Sequence, residues 1–373
     1  MSSSNPLKVA VVGGGVIGVS TAQQLVRAGA DVVLITEGEL ASNASGRSLS
    51  WLNSAGIRSE PYHRLRMAGI DRYRTLSAQQ PDLGWLHFDG GLSWQAEGQA
   101  EELHGRHEHE LAHGYDSHLL SSDQITAHTP GVNPAVVPPA GAIWNPGEGW
   151  VDLPSFIQFL AKDFVERGGQ LVTNAGRSSI VTEAGAVAGV RSERAAGFAV
   201  EAALLATGAA VPAMAVELGL AIPDASPVCL LVTTKPVQHE LTAVLNTPRA
   251  SVRPTPHGAL AVDSDWTTAN ISRATDGSYG VPPSTVEELL VEAAMLLTGN
   301  PQLEADWHGI GPKPIPGDGE PVLGQIDDVA GLYVAFTHSG ATLALIAGEL
   351  LAYEITRGTA HPMLADFNAR RFA

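Results

Sequence analysis

Cysteine is almost missing from this 373-residue chain, with Cys229 alone. A single thiol excludes an internal disulfide and a cysteine metal cluster, and it suits a reducing compartment. Positive charge is also scarce. Lysines and arginines number 22 against 39 aspartates and glutamates, a formal charge of −17, and no basic run exceeds Arg370-Arg371. Phosphate-backbone binding has no electrostatic support, so neither nucleic acid nor an acidic membrane is expected as a partner. No apolar run is long enough to span a bilayer, and "MSSSNPLK" lacks the charged-then-apolar design of an export signal; a cytoplasmic protein is expected. Internal repeats, low-complexity tracts and heptads are missing too, which leaves oligomeric state open.

Hydrophobic residues at 44%, with 40 glycines and 24 prolines, describe a loop-rich α/β chain. Its length exceeds what one core usually supports, so two domains are expected. The segment "LKVAVVGGGVIGVSTAQQLVRAGADVVLITE" reads as a strand over 8–12, a turn, a helix over 16–28 and a strand over 31–35, a βαβ unit. Gly13, Gly15 and Gly18 satisfy G-x-G-x-x-G at the strand-to-helix turn. The first glycine permits the tight turn, the second lets backbone approach a pyrophosphate, and the third lets helix pack on strand. Ile17 lies in the same helix start, whose amides favour phosphate. Glu37, 19 residues after Gly18, is suited to ribose hydroxyls, although Thr36 stands where that acid normally ends the second strand.

At "SNASGRS" the chain resembles the D-amino-acid oxidase family of FAD enzymes, which includes glycine oxidases, sarcosine oxidases and proline dehydrogenases. The family carries a small serine-rich loop over the pyrophosphate and flavin, matched here by Ser42, Ser45, Gly46, Arg47 and Ser48. Three later segments extend the resemblance. "GEGWVDLPSFIQFLAKDFVERGGQLVTN" looks like the return into the FAD domain, and "ALLATGAA" like a strand ending at a second close approach to the cofactor at Gly208. "GPKPIPGDGEPVLGQIDDVAGLYVAFTHSGATLALIAGELLAYEI" looks like the C-terminal signature, with Gly340, Ala341 and Thr342 opening a helix toward the flavin pyrimidine ring.

The resemblance implies an α/β fold: an FAD-binding Rossmann-like (GR2-type) domain over 1–84, 148–222 and 307–373, and a substrate domain with a mostly antiparallel mixed sheet over 85–147 and 223–306. It also implies oxidation of a C–N bond in an amino acid or secondary amine to an imine by hydride transfer to flavin N5, then hydrolysis, with oxygen as acceptor. Such chemistry mainly needs alignment and a neutral amine, so no indispensable base is sought. FAD is expected to be noncovalent, because Cys229 falls in the expected substrate sheet and "SGRSLSWLN" has no histidine. The small-molecule substrate is the expected partner. A homo-oligomer and a heteromeric complex that passes electrons to partner chains both stay open.

Lys313, in "GPKP", replaces the arginine that many relatives use to grip a substrate α-carboxylate. Lysine substitutes poorly at a bidentate site. Two roles remain for Lys313, a single contact to a carboxylate or assistance to the reaction with oxygen. His338, in "FTHSGAT", falls before the flavin-facing helix and is the second catalytic candidate. Arg58, His63, His257, Trp266 and Tyr279 are further candidates for the substrate face. Outside the resemblance, His109-Glu110-Leu111-Ala112-His113 is a formal match to the H-E-x-x-H zinc hydrolase helix. Its longer form would require glycine at 116 and histidine at 119, where Asp116 and Leu119 stand.

Overall fold

The computed structural model describes residues 5–372. Helices in chain order are α1 (Val16–Arg27), α2 (Glu60–Gln79), α3 (Ala100–Ala112), α4 (Ile125–His128), α5 (Leu153–Glu166), α6 (Val211–Glu217), α7 (Pro283–Met295) and α8 (Gly340–Arg357). The chain divides into two compact units, each assembled from separate stretches.

The first unit comprises residues 1–46, 153–227 and 312–373. Its six-stranded sheet runs Val322–Gln325, Leu332–Phe336, Ala202–Leu205, Lys8–Val12, Asp31–Ile35, Gln170–Val172. All neighbours are parallel except the first pair. The inner strands are almost wholly apolar because both faces of a parallel sheet are covered. Helix α1 returns the chain from Val12 to Asp31 and ends one residue earlier than its periodicity suggests, with Ala28 as its cap. On that face α1 meets α8 so closely that a Cβ at Gly348 would lie 2.4 Å from Ser20 Oγ.

The second unit comprises residues 47–152 and 228–311. Its eight-stranded sheet runs Ala305–Pro312, Val228–Thr234, Leu260–Asp263, Ser251–Pro254, Val244–Asn246, Gly91–Ser93, Ala142–Asn145, His118–Leu120. Most of its pairings are antiparallel, and one, between Val244–Asn246 and Gly91–Ser93, is parallel. Alternation along the strands puts Leu230, Val232, Val252, Leu260 and Val262 into one core with Leu289, Leu290 and Ala293 of α7.

The boundaries differ from the sequence expectation in identifiable places. Residues 47–84 and 148–152 pack with the second unit because Trp51–Leu52, Gly149–Val151 and Leu86–His87 form one small antiparallel sheet. Residues 223–227 pack with the first, tied by Gly317 N–H to the Pro223 carbonyl and Lys313 N–H to the Pro227 carbonyl. Residues 307–311 pack with the second, being part of its edge strand. Among the described residues no helix is long and apolar enough to cross a membrane.

Candidate cofactor site

The C-terminal ends of the parallel strands in the first unit gather most of the sequence-predicted residues, the place where open α/β sheets bind ligands. Gly13 follows the first strand with φ +124°, and a Cβ there would lie 2.3 Å from the Ala206 carbonyl oxygen. At Gly18 a Cβ would lie 2.0 Å from the Gly13 carbonyl oxygen, so helix and turn touch only because both residues are glycine. Gly15 differs from both. It takes an ordinary extended conformation (φ −80°, ψ 176°), and the nearest atom to its missing Cβ is Ser45 Oγ at 3.3 Å. Gly15 is therefore dispensable to the packing of the protein, and its bare backbone suits an external group.

Around this turn, Ser45 Oγ accepts the Val16 N–H at 3.0 Å, anchoring the serine-rich loop to the start of α1. Ile17 is buried in the first turn of α1. Thr36 is buried against Gly14, where a Cβ would lie 2.7 Å from Thr36 Oγ1, whereas Glu37 next to it is exposed at the strand end. Gly46 is packed so tightly that a Cβ would meet the Ala41 carbonyl oxygen at 2.3 Å, and Ser42 lies beside Gly38. Gly208 (φ +61°) follows the strand Ala202–Leu205, with Pro314 4.0 Å from its missing Cβ, so Lys313 stands in a segment packed beside this strand end. Lys313 is partly buried. Helix α8 begins at Gly340, whose missing Cβ lies 3.6 Å from Val16, and Ala341 and Thr342 follow in its first turn. Ser339 does not cap that turn with its side chain. His338 is exposed just before it.

Two loop residues lie in the second unit. Ser48 Oγ accepts the Ser50 N–H at 3.0 Å. Arg47 is laid along the edge strand: Cβ atoms at Gly309 and Gly311 would come within 2.6 and 2.3 Å of its side chain. Burial lowers the Arg47 pKa. Of the further candidates, Trp266 donates to the Arg249 carbonyl and lies under its guanidinium, while Tyr279 belongs to an outlying hairpin and His257 to an exposed turn. His63 is buried, its Nδ1 2.9 Å from Ser54 Oγ, and burial lowers its pKa. Burial likewise brings the Arg58 pKa down to about 10.

The H-E-x-x-H match has another explanation. Glu110 is buried and fully engaged: its carboxylate takes the Arg106 guanidinium at 2.8 Å, the Gly56 N–H, the Ser117 hydroxyl and an Asn145 amide hydrogen. Despite burial, these donors lower its pKa. His113 Nδ1 lies 2.9 Å from the His109 carbonyl oxygen, and His109 Nε2 lies 3.2 Å from that of Arg58. Glu110 is thus the centre of a structural network and cannot act as the general base that the motif requires. Among the described residues no cluster of metal-ligating side chains forms there or elsewhere.

Sequence reasoning missed two buried groups of the second unit. Glu148 is completely buried, accepts Trp51 Nε1–H at 2.7 Å and the Tyr115 hydroxyl, and has its pKa pushed up to about 8 by burial. Arg253 is 4% exposed and has its pKa lowered to about 10 by burial, against the opposing effect of Asp152. The available signal was a charged residue within the otherwise apolar strand of "ASVRP".

Residues 8–354 match the DAO family, described as FAD dependent oxidoreductase. The chain belongs to this family. A glycine oxidase of Geobacillus kaustophilus (strain HTA426) is 27% identical, with 97% of this chain and 96% of the relative aligned. One of the opine oxidase subunits of Agrobacterium tumefaciens (strain Ach5) is 22% identical over the same shares. The crystal structure of glycine oxidase from Geobacillus kaustophilus superposes with a TM-score of 0.80 at 22% identity, covering 98% of this chain and 99% of that one. The protein is an FAD-dependent oxidoreductase. Its first unit fits the cofactor: Gly15 presents open backbone at a helix start, and Gly13 and Gly18 are required by the turn that exposes it.

Proposed function

We propose that this enzyme oxidises a C–N bond in an amino acid or secondary amine to the imine, which water then hydrolyses. The observation that supports the reading is the place of Lys313 in the chain, next to Pro314, which packs against Gly208 at the end of the strand Ala202–Leu205, where the Gly13–Gly18 turn also lies. Bound FAD supplies the acceptor for the hydride that leaves the carbon next to nitrogen.

In this reading Gly13, Gly15, Ile17 and Gly18 hold the pyrophosphate with Ser42, Ser45, Gly46, Arg47 and Ser48, and Thr36 and Glu37 serve the ribose. Gly208 borders the cofactor, while the Gly340, Ala341 and Thr342 amides provide positive potential for negative charge on the pyrimidine ring. Lys313 attracts the substrate's carboxylate, and exposed His338 orients polar groups at the entrance. The second unit supplies the substrate face. FAD is held without a covalent bond; Cys229 lies in a second-unit strand, only partly buried rather than in the core as expected of a lone cysteine.

Oxygen is the acceptor in this reading, giving hydrogen peroxide. The relative named as an opine oxidase subunit favours a second one, with electrons passing to partner chains. Anaerobic bleaching of the flavin band with amino acids, N-methyl amino acids and simple amines tests the substrate class. Carboxylate-bearing compounds are expected to bleach it preferentially, with Lys313→Ala raising their Kd and Lys313→Arg restoring it. Equal bleaching by carboxylate-free amines, with slowed reoxidation alone in the variants, assigns Lys313 to the oxygen step. Readmitting oxygen separates the acceptors: rapid reoxidation with peroxide release supports the oxidase, and a persistently bleached flavin supports transfer to partner chains.

A further inference from the structure

Five of the described residues other than glycine have a left-handed backbone: Ala41 (φ +59°), Ser50, Asn174, Ala184 and Asn300. Four of them have a local reason. Asparagine tolerates this region. Ala184 and Gly185 (φ +79°) form the two-residue turn between Ser178–Glu183 and Ala186–Ser192, a hairpin turn that demands positive φ at both positions. Ser50 exchanges two hydrogen bonds with Ser48. Ala41 has neither a polar side chain nor a hairpin turn to impose the conformation, so contacts with the rest of the fold hold it there.

Those contacts run to the glycine turn. Ala41 N–H donates to the Gly14 carbonyl at 3.0 Å, and Leu40 Cδ2 lies 3.0 Å from the missing Cβ of Gly14. On its other side, the Ala41 carbonyl oxygen lies 2.3 Å from the missing Cβ of Gly46, the residue after Ser45, whose Oγ accepts the Val16 N–H. The serine-rich loop is therefore fastened on both sides of Gly15, once at Gly14 and once at Val16, and Ala41 is the bend between the two fastenings. An extended or right-handed residue at 41 would turn either its N–H away from Gly14 or its carbonyl away from Gly46. Ala41 is only partly buried, so the fold uses its backbone here rather than its methyl group.

We infer that Ala41 is a positioning residue for the cofactor: its left-handed conformation closes the serine-rich loop on the glycine turn, and FAD affinity follows how readily residue 41 adopts that conformation. This rests on the reading of the turn and the loop as the pyrophosphate site, and it adds what shapes the loop. A loop that occupies its closed form for only a fraction of the time binds with its affinity reduced by that fraction. Glycine enters the left-handed region freely, asparagine tolerates it, and a β-branched side chain is excluded most strongly.

The test is serial dilution of the FAD-loaded protein, with cofactor release followed by recovery of flavin fluorescence and Tm measured on the same samples. Ala41→Gly and Ala41→Asn are expected to hold FAD within about threefold of wild type, whereas Ala41→Val raises the Kd by about five- to thirtyfold. Ala184→Val, which places the same side chain at the left-handed alanine of the hairpin turn, is expected to lower Tm and leave the Kd unchanged. Unchanged FAD affinity in Ala41→Val, with only a lowered Tm as in Ala184→Val, overturns the assignment and makes Ala41 structural. Equal weakening by Ala41→Asn and Ala41→Val overturns it as well, because bulk rather than conformation is then at work. If Ala41→Val does not fold, Ala41→Asn carries the test, and a loss beyond about threefold in that variant overturns the assignment. If Gly15→Ala weakens FAD and Ala41→Val does not, the cofactor-site reading survives and the Ala41 assignment falls. If neither weakens it, both fall.

Discussion

Glu148 and Tyr115 form a carboxylate–phenol pair shut away from solvent, the phenol donating its hydrogen to Glu148 Oε1. Burial outweighs the Tyr115 and Trp51 donors and pushes the Glu148 pKa from 4.5 to about 8. A folded-state pKa above the unfolded one contributes stability that is complete below pH 4.5 and lost as pH rises toward about 8. The wild type is expected to lose Tm relative to Glu148→Gln across this window. Melting curves of both proteins measure the difference, and a constant offset would mean that Glu148 is ionised throughout.

The two glycines at the start of α1 separate folding from cofactor binding. Gly18→Ala drives a Cβ to within 2.0 Å of a carbonyl oxygen and is expected to cost ~2 to 3 kcal/mol or more in the apoprotein. Gly15→Ala meets only Ser45 Oγ at 3.3 Å, so the apoprotein is expected to stay within about 0.5 kcal/mol of wild type while losing FAD affinity. Denaturant melts of the apoproteins with FAD titration check both. Equal FAD affinity in Gly15→Ala and wild type would remove Gly15 from the cofactor site.

Arg47 and Gly311 are expected to behave as a coupled pair. Gly311→Ala must displace the guanidinium and should cost ~1 to 3 kcal/mol, whereas in an Arg47→Ala background the added methyl has room. A double-mutant cycle should give a coupling of about 1 kcal/mol. Strict additivity would show that Arg47 leaves this surface in solution.

Breaking the Glu110 network should affect stability rather than metal-dependent turnover. Glu110→Gln leaves Arg106, with 12% of its side chain exposed, without its ionic partner and is expected to destabilise by ~3 to 5 kcal/mol. Turnover of the wild type should survive metal chelation. Activity lost with a chelator and recovered with zinc would reinstate the hydrolase reading.

Legibility in the sequence followed the range of the forces involved. The strands at 8–12 and 31–35 were readable because apolar periodicity and the glycine turn are local. Gly13 and Gly18 were readable too, because their neighbours lie in a nearby turn and one crossing strand. The serine-rich loop around Arg47 was readable as a local motif, but the glycine surface at Gly309 and Gly311 on which the Arg47 side chain lies comes more than 250 residues further on and left no sign there. The partners of Glu110 come from Gly56, Arg106, Ser117 and Asn145, so "HELAH" carried no sign that the carboxylate was already occupied. Boundaries shifted where a two-residue strand such as Trp51–Leu52, too short to show a period, tied a segment to its unit.

The order of strands in the six-stranded sheet governs how the protein can be made. Lys8–Val12 is made before the other strands of this sheet, yet its neighbour Ala202–Leu205 is synthesised almost two hundred residues later, and the next strand, Leu332–Phe336, later still. Domains generally fold as units during synthesis, but here the nucleotide turn has no completed sheet beneath it until the strand Leu332–Phe336 has been made. The early βαβ segment waits with apolar surface and an unpaired strand edge uncovered, the features that make a partly made domain prone to associate with its own kind.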